Sequence, residues 1–144
     1  MPTTTNADPG TARRSPRERL LEAAGELFYA EGTRSVGIDR VIERAGVAKA
    51  SLYASFGSKE ELVGAYLDER HARILGRLRA GVDAVDPADP VARIFAVFDA
   101  QAEVFRAPDY HGCAFAAAAA EAPRDGRIDN AVRAYRREIR ALFT

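Results

Sequence analysis

His111, Gly112 and Cys113 place a base two residues from a nucleophile, the pairing that cysteine enzymes use to generate a thiolate. Asp109 and Tyr110 stand just before them. Nothing in the sequence marks an oxyanion hole, and the only other histidine, His71, is remote in the chain. A single Cys opening an Ala-rich helix reads as a small buried hydrophobe, and His71 as a solvated residue of a long helix. His71, His111 and Cys113 also lack the Cys-x2-Cys or His-x3-His spacing of a metal site, so no metal or other cofactor is expected. A small Cys/His-dependent enzyme therefore remains the weakest reading of this chain, with redox or electrophile sensing at Cys113 equally weak.

A second constellation is better placed to do chemistry, and that chemistry is binding. Val36 to Phe56 reads as two short helices joined by a tight Gly turn, apolar inside and small and polar outside. A helix held this way by another can enter the major groove of duplex DNA. With Leu52 and Phe56 turned inward, its open side carries Lys49, Ala50, Ser51, Tyr53, Ala54 and Ser55. Ser can donate or accept at base edges and Ala methyls can touch thymine methyls, while Tyr53 and Lys59 suit phosphates. Upstream, Arg13, Arg14, Arg17 and Arg19 form a basic arm able to reach phosphates or a minor groove.

Charge supports this only locally. The chain has 21 Lys plus Arg against 21 Asp plus Glu, so it has no bulk attraction for a polyanion or an anionic membrane. Between Arg44 and Lys59, however, three basic residues occur with no acidic one, and the recognition surface is expected to be free of carboxylates. At 47% apolar and 29% charged the composition is that of a folded protein. A single Cys excludes an internal disulfide, and no apolar run is long enough to span a bilayer. The first residues lack the apolar core of a secretory signal, so the expected location is the cytoplasm, with no membrane partner.

The elements that must position these residues are all helical. Residues 1–12 hold two Pro and one Gly without apolar periodicity and are expected to form a tail. Ser15-Pro16-Arg17-Glu18 is a capping box with Pro at the first helical position. It opens a helix carrying Leu20, Leu21, Ala24, Leu27 and Phe28, with Gly32 as its stop. A second helix starts at Ser35 or Val36 and ends at Gly46; a third covers about Lys49 to Phe56. Ser58 caps a long fourth helix with Leu62, Tyr66, Leu67, Ile74, Leu75 and Leu78 on one side. Asp86-Pro87-Ala88-Asp89-Pro90 breaks it and starts a fifth helix. Cys113 to Glu121, with six Ala in seven positions, is a short sixth helix, and a seventh begins near Arg127 or Asp129. Glu22, Glu26 and Glu31 read as a solvated face pairing with nearby Arg.

The run GTRSVGIDRVIERAGVAKASLYASFGSKEEL, Gly32 to Leu62, closely resembles the N-terminal domain of the TetR/AcrR family of bacterial transcriptional regulators. By that resemblance Ala45-Gly46-Val47 is the turn of a helix-turn-helix, and Lys49 and Ser51 lie in its recognition helix. Tyr53 and Phe56 match the family's Tyr and Phe; Lys59 and Ser35 match usual backbone contacts. Ala50 departs from a frequent Gly, and Ala54 stands near positions where a larger polar residue or His is common, which bears on base preference. His111 to Pro123 is similar to a sixth-helix segment of one branch of the family.

The resemblance implies an all-α, tetracycline repressor-like protein: a helix-turn-helix head at 13–58, then a helical ligand-binding and dimerisation body at 59–144. The family's last two helices, which form the dimer interface, are expected to be missing. The implied partners are duplex DNA, an unidentified small-molecule effector and a second copy of the chain, acting as a ligand-responsive repressor rather than an enzyme. Phe95, Phe98, Phe105, Tyr110, Cys113 and Phe115 are the candidate effector contacts. The other reading is a helical interaction module that binds protein and not DNA.

Overall fold

The computed structural model describes residues 14–144; the expected tail and Arg13 lie outside the described residues. Those residues form seven helices and no strand: α1 (Pro16–Glu31), α2 (Ile38–Ala45), α3 (Lys49–Ser55), α4 (Lys59–Asp83), α5 (Pro90–Arg106), α6 (Ala114–Glu121) and α7 (Arg127–Ala141). They divide into two compact units between Val63 and Gly64, inside α4.

In the first unit, α1 begins as its sequence dictates. Ser15 Oγ accepts from the Glu18 backbone N–H, and the Glu18 carboxylate accepts from the Ser15 N–H, satisfying two amides that a helix start would leave unpaired. Leu20, Ala23, Ala24, Leu27 and Phe28 form its buried face, against which α2 and α3 pack. α2 starts later than its sequence suggests. Val36 is fully buried in the segment before it, and Gly37, extended at φ −84° and ψ 162°, becomes the cap. Burying Val36 outweighs adding another turn. Val41, Ala45 and Leu52, with Leu62 and Val63 of α4, complete the core of this unit.

In the second unit, α4 supplies Tyr66, Leu67, Leu75 and Leu78 to the interior. Gly81 lets α5 come close: a Cβ there would sit 3.3 Å from the Ala96 carbonyl oxygen and 3.5 Å from the Ala100 Cβ. α5 is capped by Asp89, whose carboxylate accepts from the Ala92 N–H at 2.9 Å. It buries its small residues, Ala96 and Val97, and leaves Val91, Ile94, Phe95, Phe98 and Phe105 exposed along the opposite side. Phe115 of α6 is buried and stacked on Tyr135 of α7, ring centres 3.7 Å apart. His71 of α4 is half-buried rather than solvated, edge-on to Tyr135 at 5.6 Å and to Phe115 at 6.5 Å. The Arg127 guanidinium donates to Asp68 at 2.6 Å and Arg79 to Glu138 at 3.0 Å, joining α7 to α4.

Candidate nucleic-acid interface

The helix expected to read DNA, α3, is short and has no side-chain cap, so its placement depends on its neighbours. Leu52 anchors it from below, fully buried. At its start, the turn from α2 passes through Gly46, left-handed at φ 65° and ψ 41°, whose N–H returns to the Ile42 carbonyl at 2.9 Å. Arg19 of α1 donates to the Gly46 carbonyl at 3.0 Å. At the other end, the Arg17 guanidinium lies over the Phe56 ring, 4.8 Å from its centre, a cation–π contact. Two arginines of the first helical turn thus grip both ends of the unit that carries α3.

This changes the reading of the basic arm. Arg17 and Arg19 are engaged within the fold, and Arg14 is ion-paired with Glu22. Arg14 is thus partnered by a carboxylate rather than free for phosphates. Arg13 lies outside the described residues. Arg44 pairs with Glu26 at 2.6 Å, and Arg40 makes a two-pronged bond to Glu31 at 2.8 and 2.9 Å. The Arg40 hydrogen bond and its charge hold the Glu31 carboxyl below the ordinary carboxylate range. These pairs tie α2 to α1 along a solvated seam, as the acidic face of α1 suggests.

The face opposite Leu52 is open. Lys49, Ala50 and Ala54 are exposed, Ser51 is half-buried, and Tyr53 is 46% exposed. Ser35, ahead of α2, is exposed, and Lys59 at the start of α4 is half-buried. Ser58 starts that helix by accepting from the Glu61 N–H at 3.1 Å. One expectation about this face fails: it is not free of carboxylates. Asp39, in the first turn of α2, places Oδ1 3.4 Å from the Lys49 Nζ. Counting charge along the chain missed it because the two residues belong to different helices.

The six residues expected to contact an effector differ in exposure. Phe95, Phe98 and Phe105 lie on the exposed side of α5, and Tyr110 packs edge-on to Phe105 at 5.1 Å. Cys113 is exposed at the cap of α6, not buried as its composition suggests, whereas Phe115 is enclosed in the ring stack. A cavity of about 550 Å³ elsewhere in this unit is lined by Arg79, Val82, Ile94, Val97, Glu138 and Phe143 among others, and by none of the six. Among the described residues no group of three or more His, Cys, Asp or Glu is placed to hold a metal ion. No helix among them is long and apolar enough to cross a membrane.

This head and its open third helix have counterparts in known proteins. Residues 20–66 match the tetR family of bacterial regulatory proteins. A solved structure from Streptomyces avermitilis, assigned as a TetR transcriptional regulator, is 35% identical and superposes with a TM-score of 0.75 over 90% of this chain and 70% of that one. The chain belongs to the TetR family. A TetR-family transcriptional regulator from Streptomyces coelicolor is 37% identical, with a TM-score of 0.79 over 85% of this chain and 64% of that one. The HTH-type transcriptional regulator TtgR of Pseudomonas putida is 31% identical over 107 residues, 69% of this chain and 51% of the relative. The chain spans about half the length, or less, of the curated relatives it matches. The all-helical fold with a helix-turn-helix head is that of these regulators, and the family is one of transcriptional regulators, not enzymes.

Proposed function

We propose that this chain is the DNA-reading part and a portion of the regulatory body of a cytoplasmic, ligand-responsive repressor that binds a near-palindromic operator as a homodimer. The observation that carries the reading is the α3 surface: short side chains project from a helix anchored by Leu52. In this reading Ser51, with Ala50 and Ala54, meets base edges, while Ser35, Lys49, Tyr53 and Lys59 meet phosphates. Arg13 and Arg14 are secondary backbone contacts, Arg14 only on release from Glu22. Two heads reading successive major grooves would require half-sites roughly 34–36 Å apart.

The effector is proposed to act through the body, with Phe95, Phe98, Phe105, Tyr110, Cys113 and Phe115 as candidate contacts, of which Phe95, Phe98, Phe105, Tyr110 and Cys113 are exposed and Phe115 is buried. A ligand there relieves repression only by favouring one arrangement of the heads over another, typically by about 1–3 kcal/mol of coupling. Selection of bound sequences from a random duplex pool, followed by titration at several salt concentrations, tests the reading. Recovery of an inverted repeat whose affinity falls steeply with salt supports it; a flat salt response with no enriched sequence rejects it.

A further inference from the structure

We infer that Asp39 is a positioning residue that holds Lys49 away from duplex phosphates, so that DNA binding exchanges one partner of Lys49 for another. The inference rests on the reading that α3 faces DNA, and it names a residue that weakens that contact. Lys49 opens α3 and Asp39 sits in the first turn of α2, their charged atoms 3.4 Å apart. Both side chains are largely solvated, Asp39 at 87% and Lys49 at 58% exposure, so the pair is loose and exchangeable. The cations of α2 differ. Arg40 and Arg44 are bound to Glu31 and Glu26 of α1 at 2.6–2.9 Å, in a seam that ties the two helices together. The Asp39–Lys49 pair lies instead at the start of the recognition helix.

A phosphate approaching Lys49 must displace a carboxylate already there, and the freed carboxylate then faces a like charge. Both effects oppose binding, and neither depends on base sequence. Asp39 therefore sets the strength of the phosphate contribution, while base reading stays with Ser51 and its neighbours.

The test compares the parent chain, Asp39→Asn, Lys49→Met and the double variant on a labelled random-sequence duplex of about 30 base pairs. Asp39→Asn is expected to bind about three- to tenfold tighter at about 50 mM salt. The gain should shrink by about 200 mM, with log affinity against log salt steeper by about one ion. In the Lys49→Met background the same change should give a clearly smaller gain, because only the direct repulsion between Asp39 and the phosphates remains. Equal affinity of parent and Asp39→Asn overturns the inference, and so does a gain undiminished without Lys49. A parent chain that binds no duplex at any salt overturns the DNA reading itself, and the inference with it. Helicity and the unfolding midpoint of each variant are measured alongside, because Asp39 also favours the α2 N-terminus. Should the Asn variant unfold, Asp39→Ser, which keeps a hydroxyl acceptor at the helix start, serves the same comparison.

Discussion

The Arg19 guanidinium donates a 3.0 Å hydrogen bond to the carbonyl oxygen of Gly46, 27 positions later in the chain, and so ties α1 to the turn that precedes α3. Gly46 is doubly constrained. Its φ of 65° is left-handed, and a Cβ added there would lie 2.9 Å from the Arg19 Nη2. Gly46→Ala is expected to destabilise the head by about 1–2 kcal/mol from the backbone conformation alone, and to push Arg19 off the carbonyl. Arg19→Met should leave the turn intact but loosen it. Amide hydrogen exchange across residues 46–56 checks both, with faster exchange expected in each variant. Unchanged protection in Arg19→Met would show that the guanidinium adds nothing to the turn.

Lys59 and Ser51 should separate cleanly in binding. Lys59 is half-buried at the start of α4 with no ion-pair partner among the described residues, and a cation there contributes to phosphate attraction without reading bases. Lys59→Ala is expected to weaken binding to every duplex by a similar factor and to flatten the salt dependence by about one ion. Ser51→Ala removes a donor and acceptor from the side proposed to face the groove, so it should reorder preference among duplexes, with about 1–3 kcal/mol at stake per base contact. Competition between an enriched and a random duplex distinguishes the two. A Lys59 variant that changes preference, or a Ser51 variant that does not, would mean that α3 is docked differently.

The Glu31–Arg40 pair makes a prediction about acid stability. The Arg40 hydrogen bond, then its charge, lowers the Glu31 carboxyl from its ordinary value of 4.5. A carboxyl whose folded pKa lies below its unfolded one adds stability above the unfolded value and loses it as pH falls through the folded value. The difference in unfolding midpoint between the parent chain and Glu31→Gln should therefore be constant from about pH 6 to 8 and shrink below about pH 4.5. A difference independent of pH would place the effect elsewhere than in ionisation.

The sequence made the helices legible because their ends carry chemistry of their own. The Ser15 capping box, the Asp89 and Pro90 start and the Gly32 and Gly46 stops all lie where local backbone chemistry places them. Distance along the chain hid the rest. Arg19 and Gly46 are far apart in sequence, as are Arg17 and Phe56, so four arginines near α1 read as a free arm when two of them grip the helix-turn-helix. Asp39 lies ten positions before Lys49 and outside the acid-free stretch, and only the packing of α2 against α3 reveals it. α5 misled in another way. Its periodicity showed an apolar helix, but a helix apolar on both sides gives no signal of which side faces the interior. Here the small side faces α4, because Gly81 and Ala96 allow close approach, and the large residues remain outside.

The Phe115–Tyr135 stack makes the last prediction, in the body. Phe115 is 2% exposed and lies flat on Tyr135, with His71 edge-on to both rings. Phe115→Ala should therefore cost about 3–5 kcal/mol of stability. Burial, and then the nearby Cys113, raise the Tyr135 hydroxyl above its ordinary value of 10.0. A group whose folded pKa is raised keeps its full contribution below the unfolded value and loses it as pH climbs through the folded one. Stability should thus be insensitive to Tyr135 through neutral pH and fall above about pH 10 as the folded state resists ionising a half-buried phenol. Tyr135→Phe preserves the ring and removes the proton. Its unfolding midpoint should fall less steeply than the parent's between about pH 10 and 11, and parallel curves would mean that Tyr135 does not contribute to the alkaline loss.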